Sequence, residues 1–391
     1  MKVSSDSRTI QKGEYFVPFK GDNFDGHKFI NDALEKGASG VIEEEELYEI
    51  AKNKLTAVKP FIIGIAGSVG KTTFREYLSS ILSTKYKVFI GDLNTKLGLA
   101  TRIVNDLNDE KILVAEIGID RVGEMEKTLE LIKPDIGIIT KLEKEHLEFL
   151  NNIETVTKEN FNIIRYSNKK TGFVNIQDKA LIERVIKSNE NLYLNYFPDK
   201  NIPTLISMHI NEVLTANHNK AYLKAIYQIT KTYFNFNDEE FIKSLNSLKS
   251  PKGRLNIIKF NKNVVIIDDS YNAVCDQSVI KGLEFAIEYA KNNNLSLEII
   301  LSPMRETGQT KIEQHQNVSN FLNKNPNIKL MLVGENSELY TDSLSIPYTR
   351  FNTIDEITHQ LEENTCYYIK GSRFYNLDKL VDKYKKEYGI T

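Results

Sequence analysis

The sequence predicts an α/β protein of three domains, the two larger ones built on parallel sheets, and three observations predict it. Short apolar runs alternate with amphipathic helical stretches over residues 61–249, the signature of a parallel sheet covered by helices. The run "FIIGIAGSVGKTTFREYLSSIL", residues 61–82, reads as strand, glycine turn and helix with a Lys-Thr pair at the turn. The alternation then restarts after "LKSPKGRL", residues 248–255, so a further α/β domain follows.

In residues 1–58, "EYFVPF" is a strand, "GDNFDGH" a loop and "KFINDALEKGA" a helix with a glycine just past its end. The acidic run 43–46 is a solvated helix start. "FIIGIA" is short and apolar enough for a buried strand, and Phe74, Leu78, Ile81 and Leu82 give the next helix one apolar face. "KILVAEIG" is a second buried strand that ends on Glu116, and "DIGIIT" a third, followed by a loop carrying His146. Ligands of such sheets gather at the carboxyl ends of strands, so these three places can meet at one edge. Beyond residue 255, "NVVIIDDSYN", "SLEIILSP", "IKLMLVGEN" and "CYYIKGS" are strands, and Val279, Leu283, Ala286, Ile287 and Ala290 stripe a helix. The domains run 1–58, 59–249 and 250–391.

Composition narrows the classes of function. The chain has 391 residues, 41% hydrophobic and 27% charged, with a formal net charge of −2. That balance fits a globular fold and gives no global attraction to nucleic acid or an anionic membrane. No apolar run approaches the ~18 residues of a membrane span, and "MKVSSDSRTIQKGEYF" lacks a signal-peptide core. The two cysteines, Cys275 and Cys366, lie far apart without metal-ligand spacing, which suits a reducing cytoplasm.

The residues that carry chemistry begin with the glycine loop. Backbone N–H groups of Gly67, Ser68, Val69, Gly70, Lys71, Thr72 and Thr73 can wrap phosphate oxygens at a helix N-terminus. Lys71 is placed for the β- and γ-phosphates and the Thr72 hydroxyl for Mg²⁺. Glu116 ends an apolar strand, where a carboxylate needs a partner: a nucleotide-bound Mg²⁺ or an Arg or Lys. His146, taken alone, is a surface or satisfied core histidine or else a ligand. Asp268 and Asp269 point to opposite sides of their strand, so one of them faces a ligand or both belong to a polar turn. Lys370 and Arg373 in "KGSR" offer an anion site or a solvated basic turn.

Taken together and in this order, the motifs resemble the Mur ligase family. "SSDSRTIQKGEYFVPFKGDNFDGHKFINDALEKGA" is similar to an N-terminal UDP-binding domain; "GIAGSVGKTT" resembles the family's ATP loop, in which Ile65 is acceptable; "GDLNTKLGLAT", "VAEIGIDRVGE", "EHLEFL" and "ANHNKA" resemble central-domain motifs; "GRLN", "IDDSYNA", "MRETG" and "KGSR" resemble the C-terminal, Rossmann-like domain. The resemblance covers nearly the whole chain. It implies an ATP-dependent carbon–nitrogen ligase of peptidoglycan precursor synthesis, a cytoplasmic monomer that adds D-Ala-D-Ala to UDP-MurNAc-tripeptide through an acyl phosphate. It also implies roles by position. Lys71, Glu116 and His146 are catalytic, and Thr72, Glu116 and His146 hold Mg²⁺. Asn219 lies near adenine, Arg254 near the phosphates and Asp269 near the ribose of ATP. Ser5, Asp6, Ser7, Arg8, Asp25, Gly26, His27, Tyr271, Asn272, Lys370 and Arg373 bind substrate. Several positions depart from the family: Asn160 stands where a carbamylated lysine is usual, Lys141 where an asparagine is, Tyr222 where the "HN" motif tends to supply another asparagine, Val274 and Cys275 where polar and proline residues are, and "SPM", residues 302–304, where a Gly-Asp-Met is. Three alternatives remain: a ligase of the same chemistry with another amine acceptor, a catalytically weak nucleotide-binding homologue, and a plain P-loop NTPase or kinase, which leaves residues 4–27 unexplained.

Overall fold

The computed structural model of the chain describes residues 1–21, 24–145, 147–186, 192–197, 203–213, 217–248, 250–305 and 307–389. These form two compact units, residues 1–141 with 157–248, and residues 142–156 with 249–391.

The first unit opens with a small parallel sheet of β1 (Val3–Ser4), β2 (Tyr15–Phe16) and β3 (Gly40–Val41), in that order. It packs Phe16 and Ile10 against Ala33 of α1 (Ile30–Glu35). Then α2 (Glu44–Val58) begins on Glu44, Glu45 and Glu46, where negative charge complements the helix dipole. The acidic run is therefore a helix start.

The larger sheet of this unit is built from β4 (Phe61–Ala66), β5 (Val88–Gly91), β6 (Ile112–Glu116), β7 (Ile136–Ile139), β8 (Thr171–Asn175) and β9 (Tyr193–Phe197). Every pairing is parallel and the order is β9-β8-β7-β4-β6-β5. Helices α3 (Lys71–Ser83), α4 (Lys96–Asp106), α5 (Glu124–Ile132), α6 (Ile153–Arg165), α7 (Asn217–Phe234) and α8 (Asp238–Leu245) accompany it. The apolar face of α3 buries Phe74, Leu78, Ile81 and Leu82 against Ile63, Ile65 and Val114. Each such side chain contributes roughly 1.5–3 kcal/mol of transfer free energy, and this fixes the glycine loop between β4 and α3. Asn105 of α4 ties the N-terminal sheet to this layer, bonding Val3 N and Val3 O at 2.8 Å each.

The second unit carries a six-stranded sheet of β10 (Asn256–Phe260), β11 (Val264–Asp269), β12 (Ser296–Leu301), β13 (Ile328–Val333), β14 (Tyr348–Phe351) and β15 (Thr365–Lys370). The order is β10-β11-β15-β12-β13-β14, parallel except for the antiparallel β10–β11 pair. Its two faces hold separate cores, one under α9 (Asp276–Asn292) and α10 (Lys311–Asn323), the other under α11 (Leu377–Glu387). The stripe of Val279, Leu283, Ala286 and Ala290 is buried in the first of these cores, as helical spacing requires. Among the described residues no helix is long and apolar enough to cross a membrane.

Candidate active site at the carboxyl edge of the first large sheet

The loop between β4 and α3 turns on two glycines in the left-handed region, Gly67 at φ +123° and Gly70 at φ +91°. No other residue fits either place. A Cβ on Gly67 would meet the Thr140 hydroxyl, and one on Gly70 the Tyr222 hydroxyl.

The first half of the loop is bound to the protein. Gly67 N–H donates to Asn160 Oδ1 at 2.7 Å. Ser68 N–H and Val69 N–H donate to the Lys141 carbonyl at 2.7 and 3.3 Å. The Thr140 hydroxyl donates to Val69 O at 2.7 Å. This differs from the expectation that the whole run 67–73 wraps phosphate. The reason is burial: inward-facing peptide groups need partners. The N–H groups at the start of α3, which have no acceptor within the helix, are those suited to an anion. Lys71 Nζ donates to the Gly67 carbonyl, so its ammonium stays over the loop.

Thr72 and Glu116 meet. The Thr72 hydroxyl lies 3.0 and 3.2 Å from the two carboxylate oxygens, and Arg75 Nη1 lies 3.2 Å from Oε2. Arg75 is 6% exposed and Glu116 7%. Of the partners the sequence left open for Glu116, an arginine is bound, and the Thr72 hydroxyl beside it is a second hard oxygen. Among the described residues no group of three or more His, Cys, Asp or Glu forms a ready metal cage. His146 lies outside the described residues.

Asn219, on α7, is 5% exposed, and its side-chain carbonyl oxygen is buried without a hydrogen-bond partner among the described residues. It is three residues before Tyr222, hence on the same helix face, and the Tyr222 hydroxyl is 3.4 Å from Val69 O. An orphaned acceptor on the helix face that reaches the loop suits a ligand amine. Thr73 is buried on α3.

In the second unit Asp269 ends β11 and is buried with Lys370 Nζ at 2.7 Å and the Tyr368 hydroxyl at 2.9 Å. The same ammonium donates to Asn272 O at 3.1 Å. The guanidinium groups of Arg254 and Arg373 sit 4.2 and 5.7 Å from the centre of the Tyr271 ring, within cation–π range. Asp268 points the other way and accepts from Ser270; burial pushes its pKa up.

At the N-terminal sheet, Arg8 grips Asp6 with two bonds of 2.9 and 2.7 Å, which holds that carboxyl down to about 2. Ser7 is buried and Ser5 half-buried. His27 lies 2.8 Å from Asp25 and 3.4 Å from Glu43; hydrogen bonding to both raises its pKa. Gly26 N–H donates to Phe19 O at 2.8 Å, and a Cβ there would strike that same peptide.

Sequence reasoning noticed Asn160 and Lys141 only as departures from the family, did not notice Thr140, and foresaw for none of them the role of holding the loop. Asn160, Thr140 and Lys141 act through single side chains or carbonyls far away in sequence, and no spacing signals them. Arg75 was legible in principle, one helical turn past Lys71 on the same face.

The chain is similar to known proteins along most of its length. The model of the Mur ligase middle domain matches residues 65–236, and that of the Mur ligase family catalytic domain matches residues 2–86. A UDP-N-acetylmuramoyl-tripeptide–D-alanyl-D-alanine ligase of Rickettsia prowazekii is 28% identical, covering 98% of this chain and 95% of that protein. The enzyme of that name in Bacillus subtilis is 26% identical, over 69% of this chain and 67% of its own. In fold, the chain is similar to MurF from Acinetobacter baumannii, with a TM-score of 0.82 at 21% identity over 98% of this chain and 93% of that one. It is likewise similar to MurF ligase from Thermotoga maritima in complex with ADP, with a TM-score of 0.80 at 23% identity over 99% and 97%. A glycine loop braced from behind, a threonine–glutamate pair at its rim, and two family models that together span residues 2–236 lead to one conclusion: the chain belongs to the Mur ligase family.

Proposed function

We propose that the chain is an ATP-dependent amide-bond ligase that joins D-alanyl-D-alanine to UDP-MurNAc-tripeptide. The observation that carries the reading is the Thr72–Glu116 pair, 3.0 Å apart at the start of α3, in a chain similar over 98% of its length to a ligase of that name.

A carboxylate oxygen of the tripeptide attacks the γ-phosphorus of ATP, and the bond to the bridging oxygen breaks to release ADP. The amine of the dipeptide attacks the acyl carbon, the carbon–oxygen bond to phosphate breaks, and the amine loses a proton. The first step brings two anions together, so its barrier is electrostatic. The start of α3 and the Lys71 ammonium supply positive charge on the phosphate side.

A Mg²⁺ ion fits the donors present. The Thr72 hydroxyl and the Glu116 carboxylate are hard oxygens, and Mg²⁺ takes one or two such protein ligands while keeping its waters. The ion would supply further charge neutralisation between carboxylate and phosphate. Arg75 holds the Glu116 carboxylate toward Thr72. We assign Asn219 to the adenine and His146 to a second ion. Arg254 is assigned to the phosphates and Asp269 to the ribose. Ser5, Asp6, Ser7, Arg8, Asp25, Gly26, His27, Tyr271, Asn272, Lys370 and Arg373 are assigned to the substrates, following the family's motifs. The chain works as a monomer in the cytoplasm.

Phosphate release from ATP tests this reading, with UDP-MurNAc-tripeptide present, D-Ala-D-Ala added or withheld, and the product weighed by mass spectrometry. Release with a new amide only when both substrates are present supports it. Sustained release without the dipeptide, or a product with a different amine, contradicts it.

A further inference from the structure

Asn160 lies on α6 and is 1% exposed. Its Oδ1 accepts the Gly67 N–H at 2.7 Å. The amide orientation is set by the partner, because a backbone N–H needs an acceptor. The preceding residue, Glu159, accepts the Gly123 N–H at 2.9 Å. Neighbours on a helix point about 100° apart, so α6 reaches two loops at once. Both loops follow strands of the same sheet, β4 and β6, and both turn on a glycine of positive φ, +123° at Gly67 and +86° at Gly123.

The Gly67 peptide is where the loop leaves β4. Were its N–H left without an acceptor, the peptide would rotate toward water, and rotation at Gly67 moves Ser68, Val69 and Gly70 with it. The bonds from Ser68 and Val69 to Lys141 O, and from Thr140 to Val69 O, then lose their geometry together. The N–H groups that open α3 would no longer converge on one anion.

We propose that Asn160 is a positioning residue for nucleotide binding: it fixes the Gly67 peptide and so sets the path of residues 67–70 that aims the N–H groups opening α3 at one anion. The proposal rests on reading this loop as the nucleotide site. It makes a specific demand. Removing the acceptor must weaken the nucleotide and leave the binding of the other substrates alone.

The test uses Asn160→Leu, close in size but without an acceptor, Asn160→Ser, too short to reach and roomy enough to fold, and Asn160→Asp, which keeps the acceptor. ADP binding is measured by calorimetry with Mg²⁺ present, KM is measured for each substrate, and a urea midpoint is recorded for each protein. We expect Leu and Ser to weaken ADP and raise the KM for ATP about tenfold, from the penalty of an unsatisfied buried donor. KM for the UDP precursor and for the dipeptide stays unchanged, and Asp remains closer to wild type than Leu. Wild-type ADP affinity in both Leu and Ser variants overturns the proposal, as does an equal rise in all three KM values. Failure of the wild-type chain to bind ADP overturns the reading on which the proposal rests, and the proposal with it.

Discussion

Arg75 and Glu116 form an ion pair 3.2 Å long in which both side chains are less than a tenth exposed. The arginine also bonds Glu76 at 2.6 Å. The pair joins the first turns of α3 to the end of β6, so it holds in register the two elements that frame the candidate metal site. Removing one member strands a buried charge. Arg75→Met is therefore expected to cost about 3 kcal/mol or more of stability, read as a lower urea midpoint. A loss below about 1 kcal/mol, the worth of an exposed pair, would show that water already reaches Glu116.

Thr72→Val keeps the shape of the side chain and removes the hydroxyl. The hydroxyl is only partly buried and donates to Glu116, so stability should change by about 1 kcal/mol or less. Activity should fall by about tenfold to a hundredfold, with the Mg²⁺ concentration for half-maximal rate displaced upward. Chelation of the ion should abolish turnover of wild type and variant alike. Unchanged Mg²⁺ dependence in the variant would remove Thr72 from the metal site.

Asp269 is the anchor of the cluster in the second unit. Replacing it with Asn leaves Lys370 buried beside a neutral amide, whose one carbonyl oxygen must serve both the ammonium and the Tyr368 hydroxyl without the carboxylate's charge. Asp269→Asn should lower stability by roughly 3 kcal/mol. The paired replacement with Lys370→Met should recover part of that loss, since no ammonium is then left unpaired. If the two changes simply add, the pair is not coupled and the cluster is held by other contacts.

Much of this arrangement is legible in the sequence, for a physical reason. Strand, glycine turn and helix are local patterns, and the residues from Phe61 to Leu82 carry them without help from the rest of the chain. Glu116 could be singled out because a carboxylate at the end of an apolar strand is conspicuous. Asn160 was visible only as a departure from a family pattern. Its bond to Gly67 spans 93 positions, and a buried asparagine on a helix has no periodicity that names its partner. The same holds for Lys141, whose ammonium pairs with buried Asp178 at 2.5 Å while its carbonyl binds the loop.

His315 gives the second unit a pH dependence. Its Nε2 accepts the Met304 N–H at 3.0 Å, and Nδ1 lies 2.6 Å from the Lys311 carbonyl. One nitrogen accepts and the other donates, so the ring is neutral, and burial holds its pKa below the ordinary 6.5. Above 6.5 both folded and unfolded chains are neutral there and stability is complete. As pH falls through 6.5 the unfolded chain takes the proton first, so stability declines until the folded pKa is reached. Urea unfolding followed from about pH 8 to about pH 5 should show a shallower decline in His315→Gln than in wild type. Parallel curves would contradict the assignment.

In the proposed reaction phosphate passes through a bond to the substrate's own carboxylate. Tripeptide precursor labelled with ¹⁸O in its terminal carboxyl group makes that bond traceable. With ATP and D-Ala-D-Ala present, the reaction must deliver one ¹⁸O to inorganic phosphate for each amide formed. Amide formation with unlabelled phosphate would contradict an acyl phosphate, and phosphate without amide would contradict the ligase.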